Sequence, residues 1–530
     1  MFLPATTPPA EDAAILFRYS EELAEHGVIR FNSSGPAVEG ATDFLWMIAL
    51  ACGAKFGLSP YLLARVISLL SLWATILLLQ IWLPLPIAGS GRWFRTSFIW
   101  IALLFNSQSI AAWEGFSLLL FGFSGLLCWY FFSREQLVAL TIGALILGLI
   151  RPDGVMIGLP LVAILLWRNR KEWIKWYLPV GICGLMGLSY FLWRWWYFGL
   201  PLPLPFYVKS QWAEPSFLQG GSSFRYELIY MSKYLAPLIL ALLLVSLQRR
   251  FPWTKPSLPP RPGGRILSWA SVGIPLVFYG LFSLEQNIAD RFMYPVHLAV
   301  LSWFTWHLFR PSGIQRLLQG FAGIYLILSV LYFVVYSRGF LDLSTANPPK
   351  IAQALSTFPN QRLATTEAGW LPYDSGWESM DLWGLNHPEL AKRVVSAQDL
   401  SVFSPDLIVL DAGYDWQLPD DSETYQLLKS WDNMVHNTAL FAIRSDEYEL
   451  WLVPFAGTSA VSPTSTWYRK QVSALIETKN HVFGAGFQAP YPLHHWYWIA
   501  KGSPYQQQIR AILQAYGAIS LAEFELIQQP

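Results

Sequence analysis

Apolar runs dominate the first 337 residues. With about 20 apolar residues needed to cross a bilayer core, ten candidate spans emerge, at 61–83, 94–111, 115–132, 137–150, 154–167, 177–198, 233–247, 267–284, 292–309 and 317–337. One more run, Phe44 to Phe56, is too short to cross and predicts a re-entrant or juxtamembrane helix. Ahead of it, Ile15, Leu16, Tyr19 and Leu23 recur at helical spacing. They predict an amphipathic helix over Ala13 to His26 with its apolar face on the membrane surface.

Beyond residue 337 the pattern changes to mixed charge and frequent turn residues. Strand-like Leu407-Ile408-Val409-Leu410 and helix-like Ile509 to Tyr516 predict an α/β domain. The chain therefore reads as a polytopic α-helical membrane protein with a C-terminal soluble α/β domain. Residues 1–60 form a first loop with juxtamembrane helices, 61–337 the membrane domain and 338–530 the soluble domain. No internal repeat is visible, and the one biased tract is the Pro-rich loop at 252–262.

Composition agrees. The 530 residues are 54% hydrophobic and 13% charged, against about a quarter charged in soluble proteins, and mean hydropathy is +0.35. A net charge of +1 gives no basic field that would suit nucleic acid. Cys52, Cys128 and Cys183 lie in apolar runs, so neither a disulfide framework nor a zinc site is indicated. The pair His494-His495 lacks the spaced third ligand of a zinc site. Most of the 27 tryptophans suit interfacial anchoring.

Loop charges set an orientation. Arg92, Arg95, Arg134, Arg168, Arg170, Lys171, Lys175, Arg249, Arg250, Lys255, Arg261, Arg265, Arg310 and Arg316 fall on one face, with only Glu135 and Glu172 as acids. By the positive-inside rule that face is cytoplasmic. The other collects Glu11, Asp12, Glu39, Asp43, Glu114, Asp153, Lys209, Glu285, Asp290 and Arg291. The expectation is a multi-pass membrane protein with its chemistry and C-terminal domain extracytoplasmic. Ten spans then put both termini outside, yet Met1 to Ala10 is no signal peptide. Either residues 1–60 cross unaided or a first helix has been lost by start-site choice, and the second is favoured.

Each candidate for chemistry has a plainer alternative. Glu11-Asp12 can act as a general base with its partner, or simply favour the first turn of a helix. Arg151-Pro152-Asp153-Gly154 is an active-site wall or a kink with a self-satisfied ion pair. The proline-stiffened loop Gly199 to Gln211 delivers Phe206, Tyr207 and Lys209. Its lysine can hold a lipid phosphate or anchor at the interface. Arg291 can clamp a phosphate or pair with Asp290, and Glu114 is a loop acid on the same face. Trp370, Tyr373, Trp377 and Trp383 can bind a glycan or pack a core.

The string EDAAILFRYSEELAEHGVIRFNSSGPAVEGATDFLWM resembles the first extracytoplasmic loop of GT-C-fold glycosyltransferases, most of all those similar to bacterial terminal arabinofuranosyltransferases of cell-wall arabinan synthesis. Arg151-Pro152-Asp153-Gly154, Phe206-Tyr207-Val208-Lys209, Asp290-Arg291-Phe292 with Pro295, and Asp381-Leu382-Trp383-Gly384-Leu385 extend the likeness over residues 11–411. Three features depart from it. Glu11 stands for the first Asp, Trp113-Glu114-Gly115 for Gly-x-Glu-Thr, and the helix expected before the acidic pair is missing.

The resemblance implies inverting transfer of a sugar from a polyprenyl-phosphate donor to a glycan, lipid or protein hydroxyl, in contact with membrane lipid. It makes Asp12 the base and Glu11 its partner. Arg18, Glu39, Glu114, Arg151, Asp153, Tyr207, Lys209, Asp290 and Arg291 would contact substrate. A divalent metal at the acidic pair is compatible, though nothing in the sequence demands one. The rival classes are a transporter or flippase of lipid-linked sugars, which would show two related halves, and an assembly scaffold.

Overall fold

The apolar runs fold as helices. The computed structural model describes residues 7–83, 89–212, 236–246, 270–281, 291, 294–309, 314–343, 346–393, 395–411, 447–454 and 494–520. Within these, the short run is α2 (Phe44–Lys55) and the spans are α3 (Pro60–Trp82), α4 (Gly89–Leu104), α6 (Leu118–Ser133), α7 (Leu137–Ile150), α8 (Val155–Arg168) and α9 (Trp173–Phe198). They continue as α11 (Ala236–Ser246), α12 (Ala270–Leu281), α13 (Tyr294–Leu308) and α14 (Gln315–Leu343). By length and composition, Pro60–Trp82, Ile174–Phe198 and Gln315–Val334 can each cross a membrane. Along α9, Ile174, Leu185 and Trp196 are exposed, as lipid-facing side chains are. This is a helical membrane protein.

One expected span is corrected. The run 94–111 breaks at Asn106, whose side chain accepts the Ser109 N–H (2.9 Å) and donates to the Ala102 carbonyl (2.8 Å). A cap of this kind starts a new helix, here the short α5 (Ser107–Glu114).

The chain divides into two compact units. One comprises Thr42–Gly199 and Ala213–Arg338, the other Met1–Ala41, Leu200–Trp212 and Gly339–Pro530. The first thus begins at Thr42, where the sequence reading set a boundary at residue 60. Its interior is aliphatic and aromatic, with Ile76, Phe98, Leu119, Leu140, Leu161 and Phe304 buried together.

The second unit is built on a six-stranded sheet of order β2-β1-β3-β5-β4-β6. Its strands are β1 (Arg362–Thr365), β2 (Glu378–Asp381), β3 (Leu407–Asp411), β4 (Tyr448–Pro454), β5 (His494–Ala500) and β6 (Ile519–Ser520). β1 runs parallel to β2 and β3, while β5 and β4 add antiparallel strands, with Ile408 opposite both Ala364 and Trp498. Alternation divides the faces. Leu363, Leu407, Val409 and Tyr497 pack with Ile351 of α15 (Asn347–Leu355) and Leu513 of α18 (Gln506–Ala515). Ala364, Ile408, Leu410 and Trp498 pack with Leu390 and with Leu400 of α17 (Ala397–Phe403).

Helix α1 (Glu11–His26) belongs to this unit and ends where Gly27 turns left-handed (φ 72°). Its expected seat on a membrane surface is corrected: Ile15, Phe17 and Tyr19 are buried in protein, and Phe17 meets Tyr373 of α16 (Trp370–Ser375) edge-on at 5.9 Å. The segment after Gly199 is likewise not extended: α10 (Leu204–Trp212) starts there, with Pro205 in its first turn, where its missing N–H is harmless.

Candidate active site

The acidic pair occupies the first turn of α1, after an extended Ala10 (φ −64°, ψ 149°) that makes no side-chain cap. Carboxylates suit that end of a helix dipole, so the plain reading is satisfied, but the surroundings add more. The Glu11 Oε1 accepts the backbone N–H of Gly369, and Trp370 Nε1 donates to the Pro9 carbonyl at 2.9 Å. Only glycine fits at 369, since a Cβ there would lie 1.9 Å from the Glu11 carbonyl oxygen. Burial pushes the Glu11 carboxyl well above the usual range, Glu367 and Asp12 push it further, and the Gly369 N–H opposes them. Asp12 beside it is half-buried.

These acids gather where the parallel strands end, a common ligand position in α/β sheets. Glu367 follows β1 and Asp381 closes β2. Burial raises Asp381 to about 6 against hydrogen bonds from Asn386, Trp383 and Gly384. Among the described residues no three His, Cys, Asp or Glu side chains could hold an ion together.

Three of the strings that carry the resemblance belong to this unit: the first loop, residues 206–209 and residues 381–385. Arg18 is buried and donates from Nε to the Phe31 carbonyl (2.5 Å), from Nη1 to Pro372, and from Nη2 to Trp377 (2.7 Å) and Asn32 Oδ1 (3.1 Å). Its guanidinium also lies 4.7 Å from the Phe31 ring centroid. Of five N–H donors, four are thus bound to protein. Arg18 thereby staples α1 to α16 and to the residue that precedes β2. Asn32 accepts the Ser379 N–H (2.9 Å) and donates to the Ser379 carbonyl (2.8 Å), so one carboxamide pairs with the edge strand β2 as another strand would. Tyr19 donates to Asn386 Oδ1 (3.0 Å) and accepts the Gly40 N–H (3.0 Å). Glu39 is buried, and its carbonyl accepts the N–H of Leu204, the first residue of α10 (3.1 Å). Tyr207 is half-buried on that helix, which also carries Lys209. Trp370 and Trp377 are buried, the latter donating to the Leu355 carbonyl at 3.1 Å, so packing explains both better than glycan binding.

The helical unit holds its own charges. Arg151 pairs with Asp153 (3.0 Å) across the 3₁₀ turn Pro152–Gly154 and approaches Asp43 (3.8 Å), which also accepts from Ser117 and from Thr42 (3.1 Å). The self-satisfied pair foreseen for this turn is present, extended by Asp43. Buried Arg291 lies 4.2 Å over the Phe116 ring and is the charge partner of buried Glu114. Arg65 covers the rings of Tyr61 (3.9 Å) and Trp113 (5.2 Å). Asp290 lies outside the described residues.

Sequence reasoning passed over Arg65, Glu367 and Asn386. Arg65 had a signal, an arginine inside an apolar run. Glu367 and Asn386 had none, because only the tertiary fold brings them to residues 11–40.

A family model described as "Domain of unknown function (DUF8728)" matches residues 341–452, which include Glu367, Gly369, Asp381 and Asn386. No curated protein matches the chain. Among solved structures the chain is similar to ArnT from Cupriavidus metallidurans bound to undecaprenyl phosphate, with a TM-score of 0.47 and 14% identity over 80% of this chain and 91% of that one. Similarity to the apo state of the same protein is alike, at a TM-score of 0.47 and 16% identity over 80% and 90%.

Proposed function

We propose that the protein is an integral-membrane glycosyltransferase of GT-C type. It would move a sugar, arabinofuranosyl-like by resemblance, from a polyprenyl-phosphate donor to an acceptor hydroxyl on the extracytoplasmic face, with inversion. One observation supports this reading: within one compact unit the first-loop string that carries Asp12 hydrogen-bonds to the outer-domain residues Ser379 and Asn386 and to the start of α10.

In the reaction the acceptor oxygen attacks the anomeric carbon, the bond from that carbon to the phosphate oxygen breaks, and the acceptor proton passes to the Asp12 carboxylate. Asp12 suits this task because it stays partly open to solvent while its neighbour is fixed. Glu11 supports it by pinning the helix start onto Gly369. Lys209 on α10 is a cation suited to a departing lipid phosphate. By resemblance, Glu39 and Tyr207 are further substrate contacts.

Full-length protein in nanodiscs, given a radiolabelled polyprenyl-phosphate sugar and an acceptor panel, tests the reading. An enzyme consumes the donor, whereas a transporter or flippase relocates it unchanged. Loss of a general base costs about 10²–10⁴-fold, so Asp12→Asn that inserts normally yet keeps wild-type transfer would sink the assignment.

A further inference from the structure

A single file of hydrogen bonds runs through the sheet unit from the start of α10 to a buried carboxylate. The Leu204 N–H donates to the Glu39 carbonyl at 3.1 Å. That carbonyl shares its peptide plane with the Gly40 N–H, which donates to the Tyr19 hydroxyl at 3.0 Å. The hydroxyl donates to Asn386 Oδ1 at 3.0 Å, and the Nδ2 of the same carboxamide donates to Asp381 Oδ2 at 2.8 Å. Every proton points the same way, toward Asp381. Chains of this kind strengthen each member by polarisation.

The path is buried and tightly fitted. Tyr19, Asp381, Asn386, Glu39 and Leu204 are all buried. A Cβ on Gly40 would stand 2.0 Å from Asn386 Oδ1 and 2.6 Å from the Tyr19 oxygen, so glycine alone lets the peptide reach the hydroxyl. Anchoring α1 does not require these bonds, because Arg18, Asn32 and Glu11 already secure that segment. What the file adds is a fixed position for the Glu39–Gly40 peptide and for the first turn of the helix carrying Tyr207 and Lys209.

We propose that Tyr19 and Asn386 are positioning residues for donor binding, holding the Glu39–Gly40 peptide and the start of α10 in register with the sheet through Asp381. The proposal rests on the transferase reading for its consequence in catalysis, but its structural half stands alone. Neither residue touches the reacting atoms. Their loss shifts where the donor-side groups sit, so donor binding suffers and the chemical step does not.

The test compares wild type, Tyr19→Phe, Asn386→Ala and the double variant as full-length protein, by amide hydrogen exchange and by donor kinetics. Tyr19→Phe removes one oxygen and keeps the ring. That oxygen makes two hydrogen bonds of the file, and the loss of even one buried hydrogen bond is worth roughly tenfold. The expected result is roughly tenfold faster exchange at Gly40 and over the first turn of α10, with β1 and β3 unchanged. Donor KM rises roughly tenfold and kcat holds. The double variant is no worse than either single one, because a file broken once is already broken. Wild-type exchange at α10 in both single variants overturns the proposal, as does simple addition of their effects, or a fall in kcat at constant KM. If wild type consumes no donor, the transferase reading fails, and the exchange data still decide whether the relay holds α10.

Discussion

Replacing Arg18 with methionine keeps the aliphatic bulk and deletes the guanidinium, which separates a scaffold from a substrate ligand. Four hydrogen bonds leave with it, three to backbone carbonyls and one to Asn32. Bonds from a charged donor contribute about 1.5–3 kcal/mol each, so even the low end sums to about 6 kcal/mol. Against this stands the burial of the charge, which lowers the Arg18 pKa from 12.5 to about 10. At about 1.4 kcal/mol per pH unit, that corresponds to about 3 kcal/mol. The difference is about 3 kcal/mol, or roughly a hundredfold in the equilibrium for detaching α1. Amide exchange along α1 in the full-length protein reads that equilibrium directly. Arg18→Lys is expected to lose nearly as much, since one ammonium cannot span carbonyls at Phe31, Pro372 and Trp377. Exchange at the wild-type rate in Arg18→Met, combined with weakened donor binding, would refute the scaffold and favour the substrate contact.

Other consequences are as direct. Glu11 has a folded-state pKa above its unfolded one, so its contribution to stability is complete below the ordinary carboxyl range and is lost as pH rises toward the raised value. Unfolding measured against pH is expected to show this decline in wild type and a flatter profile in Glu11→Gln, which removes the charge and keeps an acceptor for Gly369. Gly40→Ala is expected to fail in folding or yield, given the 2.0 Å approach of its Cβ to Asn386, while Gly35→Ala, whose nearest neighbour is 3.4 Å away, serves as a tolerant control in the same expression assay. Asp399 sits in a capping box with Ser396 and pairs with Arg393 at 2.6 Å, which holds its carboxyl far below the usual range. Asp399→Ala should loosen α17 by about 1 kcal/mol, read as faster exchange at its first turn.

The legibility of this chain depended on range. Local pattern sufficed for the apolar helices, for β3 over Leu407–Asp411 and for α18, because each follows from residues a few positions apart. It failed at Asn106, where a cap inside an apolar stretch starts α5, although that signal was present in the residues. Apolar periodicity located α1 correctly but could not say what covered its face, since a membrane and a protein sheet look alike to Ile15 and Tyr19. The site followed the same rule. Glu11 and Asp12 announced themselves by adjacency and position, whereas Glu367 and Asn386 matter only because the sheet brings them to α1. Arg18 was visible as a motif residue, yet its work is decided by carbonyls at Pro372 and Trp377, which no local pattern reports.

The pairing of Asn32 with Ser379 spans 347 positions of sequence. Translation at about 5–20 residues per second separates the two by about 20–70 s. Through that interval the first segment exists without the edge strand it will close, while the intervening apolar helices are being made. Asn32 can make these two bonds only once β2 has been synthesised. That order turns a structural closure into a timer, because the sheet domain is finished only after the helices have been delivered.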